Sequence, residues 1–415
     1  MAEEVPADAV MKLTSGETVT YFDDIQDAIA AVNALKTGSH ELVALKDVET
    51  LGNEYTRFRI YAEVTLDLNG KHLVLNNHGY AAHNGIAITV EEDAHLILVD
   101  SVGGGEIEVN GVGFYLTEQE GPSALTVKGG TINASKGAVS AFNTSTVNIE
   151  GGTFNGHLAS NGSAGLHDVI FNISGGKFND MMYFPGVNNK INIFGGEFTP
   201  IGKKAVIEIR SGVLNISGGT FINHKNTDDN KTLSPVTNGS GNLEGVIVAS
   251  KPNENYQGHT VVNITGGQFN NDLGDILVLG NIEDGNTVSL VANVASGLIA
   301  DNKINIYDKN PGIAPTYNWL VNYADVNELF EEFDNLKEVD YSAASYTVLE
   351  QAIANLDDLL VKVYTDETIL KAELNQKVAV ANTAFANLVD LTDAKDAYAL
   401  YTRLNLDPYT KDTKD

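Results

Sequence analysis

The sequence predicts a mainly β chain: a parallel β-helix (solenoid) with an N-terminal capping helix, followed by an antiparallel three-helix bundle. Three observations predict it. A Gly-Gly pair recurs at a near-constant step, and alternating apolar residues precede each pair. After Trp319 the apolar period changes from two to about 3.6, and glycine disappears.

Six segments share one register: Leu125-Thr-Val-Lys-Gly-Gly130, Val147-Asn-Ile-Glu-Gly-Gly152, Phe171-Asn-Ile-Ser-Gly-Gly176, Ile191-Asn-Ile-Phe-Gly-Gly196, Leu214-Asn-Ile-Ser-Gly-Gly219 and Val262-Asn-Ile-Thr-Gly-Gly267. Their first glycines step by 22, 24, 20, 23 and 48 residues. The last step reads as two of 24, the missing pair lying in a polar insertion from Asn223 to Gly245. A step of this size is one coil of a solenoid. A β-sandwich would instead place its turns every ~8–12 residues. In Val147-Asn148-Ile149 the apolar pair takes one face and Asn148 the other. Gly-Gly then permits a sharp bend, because glycine tolerates positive φ. Two residues further stand Ile132, Phe154, Phe178, Phe198, Phe221 and Phe269, which stacked coils align as an internal ladder ~4.8 Å apart. Second apolar stretches, such as Ala205-Val-Ile-Glu-Ile209 and Gly245-Val-Ile-Val-Ala249, bring the coil to three short strands and three bends.

A solenoid needs capped ends. Residues 1–40 hold an N-terminal segment and a capping helix over 21–36, with Phe22, Ile25, Ala28, Ile29, Val32 and Leu35 on one face and Gly38 as the stop. The solenoid spans 41–310, opening with strands at Leu42–Leu45, Thr65–Leu68 and His72–Leu75 and closing at Lys303–Tyr307. Residues 311–322 form a linker. The bundle covers 323–389, with helices near Ala324–Lys337, Ala343–Val363 and from Thr365 onward, the last burying Leu370, Leu374, Val378, Phe385 and Leu388. Residues 390–415 repeat the first helix: Asp325, Phe330, Phe333, Leu336 and Tyr341 match Asp393, Tyr398, Tyr401, Leu404 and Tyr409.

Charge and composition exclude several functions. The 26 basic and 55 acidic residues leave −29, which repels phosphate backbones and anionic lipid. There is no Cys, so disulfides, thiolate metal sites and cysteine nucleophiles are excluded. No run of apolar residues is long enough to span a bilayer. Met1-Ala2-Glu3-Glu4 lacks the basic start of a signal peptide, so surface attachment would need a signal and an anchor absent from this chain.

The repeated coils, the Phe22-Asp-Asp-Ile-Gln-Asp-Ala-Ile29 cap and Leu66-Asp-Leu-Asn-Gly70 resemble the pectate-lyase-like right-handed parallel β-helix superfamily, closest to the Gly-Gly-rich coils of Gram-positive bacterial surface proteins. The resemblance covers roughly residues 20 to 310 and implies the fold alone. Residues 323 to 389, with their Tyr341-Ser342 start, resemble FIVAR repeats, three-helix spacers of extracellular Gram-positive proteins.

Uronate-cleaving members of that superfamily use Arg or Lys as base and Ca²⁺-binding Asp clusters. Beyond the first coil the solenoid holds one Arg, Arg210, which alternates with Ile207 and Ile209 and points outward. Hydrolases of the fold combine separated Asp motifs with Gly-His-Gly and Arg-Ile-Lys. Asn226-Thr-Asp-Asp229 and Gly258-His-Thr260 reproduce only fragments, so no catalytic residue is assigned. Asn226, Asp228 and Asn230 offer alternating oxygens, which makes Asp228 a weak Ca²⁺ candidate; Lys231 and Thr237 stand where an EF-hand needs Gly and Glu. No cofactor is assigned otherwise. The column Asn148, Asn172, Asn192, Asn215 and Asn263 is either an amide ladder satisfying itself or a row of donors and acceptors for a polysaccharide. In Met181-Met-Tyr-Phe-Pro185, Tyr183 and Phe184 are either a sugar platform or part of the core.

The first functional expectation is a non-enzymatic extracellular surface protein: an adhesive or glycan-binding β-helix on helical spacers, with a neutral glycan or a host or cell-surface protein as partner. The alternatives are a polysaccharide lyase or glycoside hydrolase of the same fold and a phage virion fibre or decoration protein.

Overall fold

The computed structural model describes residues 5–35, 37–56, 58–78, 85–116, 121–160, 168–186, 188–203, 205–224, 244–250, 260–271, 275–280, 290–294, 306–308, 329–330, 332–363, 371–392 and 394–395. The linker 311–322, the start of the first bundle helix, Asp228 with its insertion, and residues 396–415 lie outside them. The chain divides into two compact units, Met1–Val294 with Leu298–Asn318, and Ala295–Gly297 with Trp319–Asp415.

The first unit is mainly β and built on two sheets of 12 and 17 strands. From His40–Ala44 onward every pairing with a later strand is parallel, as in Ser145–Ile149 on Ile170–Ile173 and then Lys190–Ile193. Successive stretches of chain add one strand to the 12-stranded sheet and up to two to the other: after Ile170–Ile173 come Lys177–Phe178 and Met182–Phe184, then Lys190–Ile193 rejoins the first sheet. Each strand therefore lies beside its counterpart one repeat away, the expected register. Inward residues of the first sheet (Leu125, Val147, Phe171, Ile191, Leu214 and Val262 form one column) are fully buried. Phe154, Phe178, Phe198 and Phe221 stack with centroids 4.5–4.9 Å apart and planes within 10°. Phe269 continues the stack at 5.0 Å.

Each half of the Gly-Gly bend has its own cause. A Cβ on Gly195 would lie 2.5 Å from the Ser174 carbonyl oxygen of the preceding repeat. Gly196 instead has φ +110°, where an L side chain is strained.

Three features depart from the sequence reading. The 48-residue step from Gly218 to Gly266 is one repeat rather than two: Gly212–Ile216 pairs directly with Thr260–Ile264, and Thr220–Asn223 with Gln268–Asn271. Extra residues between strands lengthen the connections without displacing the ladder. The N-terminal segment contains an antiparallel hairpin, Met11–Ser15 with Thr18–Phe22, whose first strand pairs antiparallel with His40–Ala44 and so covers the start of the parallel sheet. The capping helix is shorter than expected, Ile25–Leu35, because Asp24 caps it by accepting a hydrogen bond from the Gln26 backbone N–H at 2.6 Å. Ile25, Ala28, Ile29 and Val32 face the core, while Leu35 is exposed.

In the second unit the helices Ala343–Val363 and Lys371–Ala386 pack together. Leu349, Ile353 and Leu356 are buried as expected. On the second helix Val378 is joined by Ala381 and Ala384, spaced three residues apart on one face, whereas Phe385 is only half-buried. A bridge from Tyr341 to Asp390, with Ser342 N–H donating to the Val389 carbonyl at 2.9 Å, ties the two ends. No helix among the described residues is long and apolar enough to cross a membrane.

Candidate functional site

The predicted asparagines form one column on the outward face of the first sheet, in register from Asn148 through Asn172, Asn192 and Asn215 to Asn263. Each Nδ2 donates to the Oδ1 of the preceding repeat: Asn172 to Asn148 at 2.9 Å, Asn192 to Asn172 at 2.9 Å, Asn215 to Asn192 at 2.8 Å and Asn263 to Asn215 at 2.7 Å. Asn148, Asn172 and Asn192 are half-buried; Asn215 and Asn263 are buried. The first three alone keep access to solvent.

The aromatic pair does not form a platform. Phe184 is 0% exposed and packs on Phe171 at 5.1 Å; Tyr183 is 7% exposed and accepts a hydrogen bond from Arg210 Nη1 at 3.4 Å. Met182–Phe184 is buried on both faces, as is Ala205–Ile209, the strand paired with it on one side, so alternation no longer sends every second side chain to solvent there.

The exposed ring of this region is Phe194, at 59%. It ends Ile191-Asn-Ile-Phe194 on the same face as Asn192, at the register held by Ser174 and Ser217 in the adjoining repeats. Its signal was plain in the sequence: one aromatic in a position otherwise given to Lys128, Glu150, Ser174, Ser217 and Thr265.

Beyond Phe194 the Gly-Gly bends line a groove of about 570 Å³. Its floor is glycine backbone from Gly104–Gly105 to Gly196, and Thr131, Thr153, Lys177 and Glu197 stand along its rim in one register. Lys177 pairs with Glu197 at 3.5 Å, and Lys128 with Glu150 at 3.7 Å. Two residues past that rim a second amide ladder runs unpredicted: Asn179 Nδ2 donates to Asn155 Oδ1 at 2.7 Å, Asn155 to Asn133 at 2.6 Å, and Asn133 to Glu106 at 3.1 Å. Gly-Gly-Thr-Ile-Asn133, Gly-Gly-Thr-Phe-Asn155 and Gly-Gly-Lys-Phe-Asn179 carried its signal.

Next on this face lie His157, Asp180 and Lys203, a cluster the sequence reading did not assemble. Lys203 Nζ is 2.8 Å from Asp180 Oδ1. Burial depresses the His157 pKa, and Lys203 pushes the same way; Asp180 and a hydrogen bond to the Lys136 backbone oppose it. Burial therefore disfavours the charged form of this imidazole beside the ion pair. No group of three His, Asp or Glu able to hold a metal occurs among the described residues.

No protein-family model matches the chain, and comparison with curated proteins and with solved structures gives no significant match.

Proposed function

We propose that this chain is a non-enzymatic extracellular surface protein whose β unit binds a glycan. In this reading the two parallel sheets close into a right-handed β-helix similar to the pectate-lyase-like surface proteins, and the helical unit is a FIVAR-like three-helix spacer followed by the start of another. The observation that carries it is the Gly-Gly groove. It is long and shallow, crosses five successive bends from Asp100 to Glu197, and is floored by backbone. That shape suits an extended polymer lying across the coils better than a small molecule enclosed in a pocket. Each Lys beside the groove is matched by a Glu, so the groove offers no excess positive charge to a uronate polymer. Retention on a glycan array without release of reducing ends or unsaturated uronate is the expected result. No retention of any glycan would refute the reading.

The His157–Asp180–Lys203 cluster favours a second reading, a lyase or hydrolase of the same architecture. Product release abolished in His157→Ala would establish it in place of the first.

A further inference from the structure

We infer that Phe194 and the adjoining amides of Asn172 and Asn192 form a stacking subsite for one pyranose ring of a neutral polysaccharide, at the end of the groove where Gly196 and Glu197 lie. The inference rests on the glycan-binding reading and names its ligand class. Phe194 is 59% exposed, and the equivalent positions on either side are Ser174 and Ser217, too short to wall off its face. Both hydroxyls are directed to backbone, Ser174 to the Ile149 carbonyl at 3.4 Å and Ser217 to the Ile193 carbonyl at 3.5 Å.

An aromatic face takes up the C–H face of a sugar, and the hydroxyls around the ring then need partners. The asparagine ladder supplies them. A carboxamide has two N–H donors and two acceptor lone pairs. Asn172 spends one donor on Asn148 and one lone pair on Asn192, and Asn192 spends one donor on Asn172 and one lone pair on Asn215. Each rung thus retains one donor and one acceptor, fixed in direction by the ladder and half exposed on the face that carries Phe194. Rungs recur about every 4.8 Å, close to the length of one pyranose in an extended chain, so successive sugars meet successive amides. Amides and a phenyl ring carry no charge, and the chain's net −29 opposes an acidic polymer. The ligand is therefore a neutral or N-acetylated polymer of pyranoses with equatorial hydroxyls.

Isothermal titration of the full chain with cellohexaose, chitohexaose and polygalacturonate tests this, using wild type, Phe194→Ala and Phe194→Trp. One neutral hexasaccharide should bind, lose about tenfold or more in affinity with Phe194→Ala, and retain it with Phe194→Trp. Unchanged thermal melts would show that the exposed ring is not needed for folding. Equal binding by Phe194→Ala would overturn the subsite while leaving the glycan-binding reading intact. Binding of neither neutral hexasaccharide overturns the inference; that reading itself fails only if the wider array retains nothing. Preference for polygalacturonate overturns the neutral ligand class.

Discussion

Truncating Phe198 to Ala probes the interior stack at its centre. The side chain is 0% exposed, with its ring 4.5 Å from both Phe178 and Phe221 and nearly coplanar with each. Loss of a buried Phe costs about 3–5 kcal/mol, depending on how far the site collapses. Collapse is restricted here: Glu197–Phe198 is hydrogen-bonded to Lys177–Phe178 on one side and Thr220–Asn223 on the other, so the flanking rings cannot close the gap. Two ring pairs, each contributing about 0.5–1.5 kcal/mol beyond burial, vanish together. The cost should therefore lie near 5 kcal/mol. Phe154 ends the run of rings, with Phe178 at 4.9 Å on one side and Ile132 in register on the other, so Phe154→Ala should cost nearer 3 kcal/mol. Urea unfolding followed by far-ultraviolet circular dichroism measures both, and a separate early transition of the repeats around Phe198 counts as the same loss. A cost below about 1 kcal/mol for Phe198→Ala, or a larger one for Phe154→Ala, would refute the stacked register.

Glycine substitutions separate crowding from conformation. Gly195→Ala should cost about 1–3 kcal/mol in the same melts because its Cβ would meet the Ser174 carbonyl, whereas Gly129→Ala, whose Cβ has no neighbour nearer than 3.5 Å and whose φ is not positive, should be close to neutral. Equal effects at the two sites would show that the bends are not stacked. His157 should make stability depend on pH. Its folded pKa lies below the ordinary 6.5, so the unfolded chain binds more protons between the two values; stability is complete above about pH 6.5 and falls as pH drops through that window. Urea midpoints for His157→Gln should fall less on acidification than those of the wild type, and identical slopes would show that burial does not hold the imidazole neutral.

The sequence by itself determined the repeat register, the phenylalanine stack, the outward asparagine column and the capping helix. These follow from local rules: alternation assigns each side chain to a face, glycine marks the bend, and parallel pairing places equivalent residues side by side. Tertiary structure alone decided what non-local contacts control. The hairpin Met11–Ser15 and Thr18–Phe22 alternates apolar and polar residues as any strand pair does, and its antiparallel place beside His40–Ala44 is decided by that non-local pairing. The 48-residue step could not be assigned by counting, because inserted residues lengthen a connection without moving the ladder that joins Asn215 to Asn263. Tyr183 and Phe184 are compatible with either a platform or the core in the sequence, and burial of their strand on both faces places them inside. His157, Asp180 and Lys203 stand 23 residues apart in sequence, within the range of repeat lengths seen. They meet because each intervening stretch has the length that returns the chain to the same strand register, a condition set by hydrogen bonds between successive repeats rather than by any residue's own preference.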